Sequence, residues 1–393
     1  MSPRAFSLRL SFFNAFLFLG TGIQLPFLPL WLKDKGLSDS ETALVLAVMT
    51  AIRVLAIPLG TFVADLHGDR RRVVITAVAL SFASYLSLHF MSGFVPILIM
   101  ASVAGAMLAP VVPLTEVLAV DGAAHYGIDY GRIRLWASLS FLSGSLIAGA
   151  LLEVIPVHAV ILLIAGAQGI GMLAALVLPS DRSIQPARHE PVKINQVWGV
   201  VTGSGFIIFV AAAAIGQSSH GLLYAFGSVH FDSLGYGKFT IGELWAVGVI
   251  MEVLMFAFSN RFYKALGSVN LIMAGTAAAA ARWFVIGLEP PLAVLFIVQA
   301  LHAGSFGLTH LGTMHYIRET VPGRMRNTVQ GLFSALNGGI LMSATMWSSG
   351  PLYSVLGGRA FFVMCFYAVM ALGLAVLLKR LTVTPKARPA AGA

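Results

Sequence analysis

Charged side chains interrupt the long apolar stretches of the sequence at five positions: Arg53, Glu116, Arg134, Glu252 and Arg282. A charge in hydrocarbon is costly, so each is expected to face a water-filled cavity or a partner of opposite sign. The glutamates can bind and release protons, and an arginine can hold a carboxylate or a pair of hydroxyls through its planar fork. The set predicts a polar site at mid-membrane. The alternative is mutual pairing that only holds helices together.

Histidines add groups that titrate near physiological pH. His220 is followed one turn later by Tyr224, and both are predicted to line the substrate site. His302 shares a helical face with His310, eight residues further on. We expect functional roles for His220 and His302, and interpret His310 and His315 as neutral side chains bonded to the backbone. None has a carboxylate at metal-ligand spacing, so neither a metal site nor another cofactor is expected.

The composition indicates which elements must position these residues. The chain has 393 residues, of which 58% are hydrophobic and 10% charged, whereas soluble domains carry about 25% charged residues. A surface this apolar is stable only in lipid, so we expect an all-α membrane protein. The net charge of +9 is interpreted as a matter of topology, and no nucleic-acid partner is expected. A single cysteine, Cys365, excludes a disulfide within the chain and a cysteine-based metal site.

Apolar runs of about 20 residues between charged or Gly/Pro breaks predict twelve transmembrane helices. Their predicted ranges are 7–32, 40–66, 72–92, 95–121, 129–153, 157–179, 199–230, 240–261, 268–288, 291–317, 325–349 and 358–380. A polar stretch separates the sixth from the seventh. We therefore expect an N-terminal six-helix bundle over 1–180, a cytoplasmic linker over 181–198 and a C-terminal six-helix bundle over 199–393.

Lysine and arginine are unevenly distributed between the predicted loops. One side of the membrane holds only Lys33, Lys35, Lys238 and Arg359, and three arginines lie within spans. The remaining basic residues, about 18 in number, fall on the other side, which the positive-inside rule identifies as the cytoplasm. We therefore predict a multi-pass protein of a bacterial inner membrane with both termini cytoplasmic. No small-residue cleavage site follows the basic N-terminus, which predicts a retained first span.

A short internal repeat supports two related halves. The pattern Gly-Arg-x-Arg occurs at 131–134 and again at 323–326, an offset of 192 residues. This offset agrees with the predicted start of the second bundle near 199. We therefore expect two parallel six-helix repeats around an axis along the membrane normal.

The turn after the second span combines glycines, an acid and a basic cluster: Gly60, Asp65, Gly68, Arg70 and Arg71. This turn resembles the signature of the major facilitator superfamily, which implies that family's twelve-helix fold. Gly60 suits close helix packing, Gly68 suits a tight turn, and Asp65 can cap a neighbouring helix and pair with arginines. We expect the five residues to form a gate. The alternative is a basic loop with an incidental acid.

The spacing of the charged residues in the spans resembles that of the lactose permease. Glu116 precedes Arg134 by eighteen residues, and Arg282 precedes His302 by twenty. The resemblance implies that the first pair binds substrate and that the second belongs to a proton-coupling cluster. That protein has a proton-carrying glutamate three residues after the histidine, where this chain has Ser305.

Glu252 is the expected substitute for that missing acid, because it is the carboxylate near the middle of a span in the second half. Removing water from a carboxyl group favours its neutral form, which suits a proton carrier. The predicted proton-coupling residues are Glu252, Arg282 and His302. The predicted substrate-binding residues are Glu116, Arg134, Arg53, His220 and Tyr224.

A nearer resemblance, to the bacterial 3-phenylpropionate permease branch, covers almost the whole chain. It rests on five stretches found together and in order: 113–116, 129–136, 244–253, 281–283 and 301–306. It implies a transporter of an aromatic acid.

We expect a monomeric, proton-coupled symporter that imports a small organic solute by alternating access. An aromatic carboxylate such as a phenylpropanoid acid is favoured, because three arginines stand against two glutamates within the spans. A sugar or nucleoside symporter and a proton-driven efflux antiporter are the alternatives. An enzyme is not expected, since no nucleophile–base set stands out, and the lack of a phosphate-binding loop argues against ATP-driven transport.

Overall fold

The computed structural model describes residues 1–180 and 194–383. The helices of the first half are α1 (Pro3–Asp34), α2 (Asp39–Ala51), α3 (Arg53–His67), α4 (Arg70–Leu88), α5 (Phe94–Leu108), α6 (Val111–Tyr126), α7 (Tyr130–Leu151) and α8 (Val160–Ala175). Those of the second half are α9 (Ile194–Val201), α10 (Ser204–Ser218), α11 (Gly221–Ser233), α12 (Lys238–Ala257), α13 (Ser259–Gly287), α14 (Leu292–Ala300), α15 (Thr309–Thr320), α16 (Arg326–Ser334), α17 (Met342–Leu356) and α18 (Phe361–Val383). Most of the predicted linker 181–198 lies outside the described residues, and its last part begins α9.

Eleven helical stretches of the described chain are long and apolar enough to cross a membrane. The last of them, Gly323–Thr382, has 60 residues. A continuous helix of that length would extend about 90 Å, three times the thickness of the hydrocarbon core. The stretch breaks at Gly357, whose φ of 53° ends α17. It therefore contains two spans, and the prediction of twelve transmembrane helices is confirmed.

Several spans are interrupted at mid-membrane. The second breaks between α2 and α3 at Ile52, directly before Arg53, and the seventh breaks at His220 between α10 and α11. Two further spans contain π-helical turns, Ala303–Leu308 and Ala335–Leu341. Such turns leave the regular hydrogen-bond ladder and occur mostly at functional sites. The interruptions thus bring irregular backbone next to three of the predicted site residues.

Helices of the two halves meet in a symmetric pattern. The second span packs against the eleventh through α2 and α17, and the fifth packs against the eighth through α7 and α12. Because the second and fifth spans of one repeat correspond to the eighth and eleventh of the other, the pattern is that of two parallel six-helix repeats around one axis. The predicted all-α fold with two repeats is therefore confirmed.

Glycines make the closest contacts between the halves. We call the face that carries Met1 the basic face and the other one the opposite face. Near the opposite face, a Cβ atom at Gly350 would lie 2.8 Å from the carbonyl oxygen of Asp39, and one at Gly242 would lie 2.6 Å from that of Ser145. A Cβ at Gly149 would lie 2.7 Å from the carbonyl oxygen of Lys238. These three glycines, which we call the glycine seam, bring main chain against main chain.

Toward the basic face, α7 and α12 separate. A cleft of about 170 Å³ lies between them, lined by apolar side chains such as Leu139 and Val253. The halves therefore touch near the opposite face and diverge toward the basic face, which leaves the interior closed at the glycine seam.

A carboxylate adds a polar contact beside the glycine seam. Glu153 follows α7 in the first half, and its Oε1 accepts a hydrogen bond of 2.9 Å from the backbone N–H of Phe239, in the first turn of α12. This oxygen would lie 2.5 Å from a Cβ at the N-cap residue, Gly237. Glu153 thus caps a helix of the other half and balances its positive N-terminal end.

We expect Glu153→Ala to open the opposite face. A side-chain cap at a helix N-terminus is worth about 0.5–2 kcal/mol, so the ratio of closed to open protein should fall by about 2- to 30-fold. Spin labels at the exposed Phe90 and Leu288, in a background without Cys365, should gain a longer-distance component. Asp34→Ala, which removes an exposed acid from the same face, is the control. An unchanged distance distribution in Glu153→Ala would contradict a role in closure.

Candidate functional site

A cavity of about 220 Å³ lies between the halves, on the side of the opposite face from the point where α7 and α12 diverge. Side chains from α1, α7, α11, α12, α13, α14 and the first π-helical turn form its walls. The polar ones are Arg134, Ser138, Glu252, Arg282, Gln299 and His302, and the aromatic ones are Phe18, Phe141, Tyr224, Trp245 and Phe306. The cavity therefore combines titratable groups with aromatic surface.

The predicted proton-coupling residues lie together in the wall of this cavity. Glu252 Oε2 lies 3.1 Å from Nε2 of His302. Gly307 lets the first π-helical turn pack closely on α12, because a Cβ there would lie 2.2 Å from Cε of Met255, on the turn that follows Glu252. The Glu252 and His302 side chains remain 23% and 13% exposed, so a proton or solute in the cavity can reach them.

Arg282 determines which ring nitrogen of His302 carries the proton. Its Nη1 lies 3.1 Å from Nδ1 of His302, and a guanidinium can only donate. Nδ1 therefore accepts, and the ring proton of a neutral His302 resides on Nε2, facing Glu252. Arg282 also donates to Oε1 of Gln299 and to Oγ of Ser305, the latter at 3.2 Å. The guanidinium is thus held by neutral acceptors, and His302 lies between it and the carboxylate of Glu252.

Ser305 extends this network to His220. The Nδ1–H of His220 donates to the carbonyl oxygen of Gln217 at 3.0 Å, which leaves Nε2 as the acceptor. Ser305 Oγ lies 3.1 Å from that Nε2 and therefore donates to it. His220 is 0% exposed, and both of its ring nitrogens are used by the protein. Its position gives no support to the predicted substrate contact, whereas its neighbour Tyr224 does line the cavity.

The predicted pair of Glu116 and Arg134 is formed across the hairpin of α6 and α7. Arg134 Nε lies 3.4 Å from Glu116 Oε1, and the other carboxylate oxygen accepts a hydrogen bond from the hydroxyl of Tyr130. The guanidinium also lies over the ring of Phe18, 5.1 Å from its centre. Arg134 lines the cavity, with its side chain 45% exposed. A solute in the cavity can therefore reach the arginine of this pair.

Arg53 lies in a second cavity, of about 340 Å³, on the side of the first half. The two cavities share Phe18, Leu25, Arg134 and Tyr224 as walls, so they adjoin one another. The predicted site is therefore divided into two compartments, with Arg53 in one, Glu252 and His302 in the other, and Arg134 at their junction.

The glycines of the predicted gate have the structural roles expected of them. A Cβ at Gly60 would lie 2.4 Å from Cβ of Pro110, so α3 packs tightly on the break between α5 and α6. Gly68 has φ 62° and ends α3 in the left-handed conformation that glycine adopts readily.

The charged residues of the predicted gate make contacts within the first half. Arg70 Nη1 lies 3.5 Å from Oδ2 of Asp121, and the Arg71 guanidinium donates to the carbonyl oxygen of Leu176. The Asp65 side chain forms no hydrogen bond or ion pair with another residue of the described ranges. Gating across the two halves remains a prediction.

Sequence reasoning did not select Gln299 or Tyr85, and treated Ser305 only as a departure from a family pattern. A signal existed for Gln299, since it is a polar residue in the apolar stretch of α14. Tyrosine is amphipathic and common in spans, so only its buried surroundings in the structure distinguish Tyr85 from other tyrosines.

A family model described as the MFS_1 like family matches residues 7–364. The chain belongs to this family. It is 29% identical over 359 residues to the "Probable 3-phenylpropionic acid transporter" of Escherichia coli (strain K12), covering 90% of this chain and 93% of that protein. It is 25% identical over 338 residues to the "Maltose permease" of Geobacillus stearothermophilus, covering 84% and 83%. The predicted membership of the major facilitator superfamily is confirmed.

Solved structures agree with this membership of the MFS_1 like family. The nucleoside transporter NupG has a TM-score of 0.78 at 17% identity, covering 96% of this chain and 99% of that one. A bacterial homolog of the human lysosomal transporter Spinster, in an inward-facing and unoccupied conformation, has a TM-score of 0.72 at 13% identity, covering 96% and 97%. As a member of the MFS_1 like family, the chain is a multi-pass membrane transporter for a small molecule and not an enzyme.

Proposed function

We propose that the chain imports a small organic solute together with protons, by exposing one mid-membrane site alternately to the two sides. The observation that carries this proposal is the hydrogen-bonded set of Glu252, His302 and Arg282 in the wall of the central cavity. Charged groups at this depth are costly even when paired, and those that face a cavity typically mark the path of an ion or a substrate.

Glu252 is the group that takes up the proton. Protonation removes its negative charge and weakens its hydrogen bond with the Nε2–H of His302, since ionised acceptors form the stronger bonds. The cavity then becomes one charge unit more positive and binds an anionic solute better. By reciprocity, a bound anion favours protonation of Glu252, which couples the two movements.

An aromatic carboxylate is the proposed solute. Aromatic side chains from both halves, among them Phe18, Tyr224 and Trp245, line the cavity, and the 29% identical relative carries the name of such an acid. We further propose that the protein is a monomer of a bacterial inner membrane with the basic face and both termini in the cytoplasm. Bundles 1–180 and 199–393 rock against each other, with the predicted gate closing the basic face.

A neutral sugar or nucleoside is the second candidate. Its support is the ion pair of Glu116 and Arg134. The opposite charges of this pair cancel, and its donors and acceptors suit the hydroxyl groups of a neutral solute. Drug efflux by antiport has weaker support, from 26% identity over 273 residues to the "Quinolone resistance protein NorA" of Staphylococcus aureus (strain N315).

Uptake into proteoliposomes tests these candidates. With the interior more alkaline, radiolabelled 3-phenylpropionate should accumulate faster than in protein-free liposomes, which the neutral acid enters unaided, and a protonophore should abolish the accumulation. Maltose and uridine serve as neutral comparison solutes under the same gradient. Accumulation of a neutral solute but not of the acid would mean that the substrate is not a carboxylate. Uptake driven by the reversed gradient, with the interior more acidic, would replace symport with antiport.

A further inference from the structure

The second cavity contains a buried polar group without a partner. The hydroxyl of Tyr85 is fully buried and forms no hydrogen bond with the described residues. Tyr85 lines the same cavity as Arg53, together with the polar residues Thr21 and Gln24. A buried hydroxyl without a partner loses its hydrogen bonds to water uncompensated, so a ligand group that reached it would gain a hydrogen bond that the protein alone does not supply.

The three arginines within the spans differ in how their charge is matched. Arg134 lies 3.4 Å from the carboxylate of Glu116. Arg282 is held by Gln299, Ser305 and His302, and His302 contacts Glu252. Arg53 forms no ion pair with an acidic side chain of the described ranges, and its side chain remains accessible from the cavity. Arg53 is therefore the arginine of the three whose guanidinium has no side-chain partner among the described residues and is free to bind a ligand.

We propose that Arg53 and Tyr85 form a subsite that binds the carboxylate of the solute. A guanidinium donates two parallel N–H groups to a carboxylate, and the Tyr85 hydroxyl can donate a third hydrogen bond to it. The proposal rests on the transport of an aromatic acid proposed above and assigns its anionic end. It assigns the carboxylate of the solute to Arg53 rather than to Arg134, whose charge Glu116 already matches.

The shared walls of the two cavities determine how such a solute lies. With its carboxylate at Arg53, its ring extends past Phe18 and Arg134 into the central cavity, toward Tyr224 and Trp245, whose rings stack with centroids 6.1 Å apart. The solute then contacts the first half through its charge and the second half through its ring. The protonated Glu252 lies at the ring end, so proton and carboxylate occupy separate compartments.

Binding of a matched pair of probes tests the subsite. 3-Phenylpropionate and its amide, 3-phenylpropanamide, have nearly the same shape and differ in charge. Purified wild type should bind the acid at least about tenfold more tightly than the amide, because hydrogen bonds to a charged group are the stronger ones. Arg53→Gln should weaken binding of the acid by about 10- to 100-fold and leave that of the amide unchanged.

Further variants separate the subsite from general damage. Tyr85→Phe should weaken binding of the acid by about 3- to 10-fold, and Arg53→Lys should retain part of the preference for the acid. Arg132→Gln is the matched control, because Arg132 is an exposed arginine on the basic face, 3.9 Å from Asp129. Unchanged amide binding by the Arg53 variants shows that they are folded.

Two results would overturn the subsite: equal affinity of wild type for acid and amide, or a full preference for the acid in Arg53→Gln. The same protein in proteoliposomes distinguishes this failure from that of the proposed function. If Arg53→Gln no longer binds the acid while wild-type uptake is independent of the proton gradient, the subsite is supported and the proposed proton coupling is wrong. If wild type couples acid uptake to protons and Arg53→Gln still binds the acid normally, the proposed transport function is supported and the carboxylate binds at Arg134 instead.

Discussion

Glu252→Gln should abolish proton-driven accumulation of the solute by the protein, so that accumulation falls to that of protein-free liposomes under the same gradient. The amide of glutamine has the shape of the carboxyl group and can still accept the Nε2–H of His302 at the distance of 3.1 Å, but it cannot bind and release a proton. Exchange of labelled for unlabelled solute, which needs no net proton movement, should continue. Uptake driven by a pH gradient and exchange without a gradient, both in proteoliposomes, measure the two activities.

Glu243→Gln is the control for this substitution, because it neutralises an acid nearer the start of the same helix, α12. It should accumulate solute like wild type. Accumulation by Glu252→Gln against a gradient would move the proton to another group. Loss of exchange as well as accumulation would mean that Glu252 is needed for solute binding or for the conformational change itself.

Arg134→Lys should weaken solute binding by at least about tenfold. The arginine contacts Glu116 at 3.4 Å and covers the ring of Phe18 while lining both cavities. An ammonium group is a compact charge on a flexible stem and cannot make a planar contact with ring, carboxylate and solute at once. Titration of the purified variant with 3-phenylpropionate and 3-phenylpropanamide measures the effect.

The two probes separate this effect from that of Arg53. Because Arg134 lies at the junction that any solute spanning both cavities must pass, its substitution should weaken binding of acid and amide alike. Arg132→Lys, two residues away on α7, should bind both probes normally. Normal binding by Arg134→Lys would assign Arg134 and Glu116 to a structural ion pair.

The number of spans and the pair of Glu116 and Arg134 could be predicted because both depend on local sequence. Apolar length determines a span, and eighteen residues of a helical hairpin bring two side chains to the same depth. The break directly before Arg53 has a partial signal in the sequence, since Pro58 lies inside α3 and a proline disturbs the helix about four residues earlier. Its exact position could not be predicted, because neither proline nor glycine occurs at Ile52 or Arg53.

The hydrogen-bond network of the second half shows the same limit. The sequence grouped Arg282 with His302 and Glu252, and the structure brings these three side chains together. It could not predict that Ser305 donates to His220 and so removes that histidine from the cavity surface. A hydroxyl can donate or accept, and only its neighbours in three dimensions determine which.

The glycine seam determines what the protein must do mechanically to open its opposite face. Main-chain atoms meet main-chain atoms at Gly149, Gly242 and Gly350, so no interlocked side chains have to change rotamer before the halves part. At these three positions, opening is a separation of backbones rather than a repacking of side chains. The seam can therefore re-form in the same register each time the halves meet again.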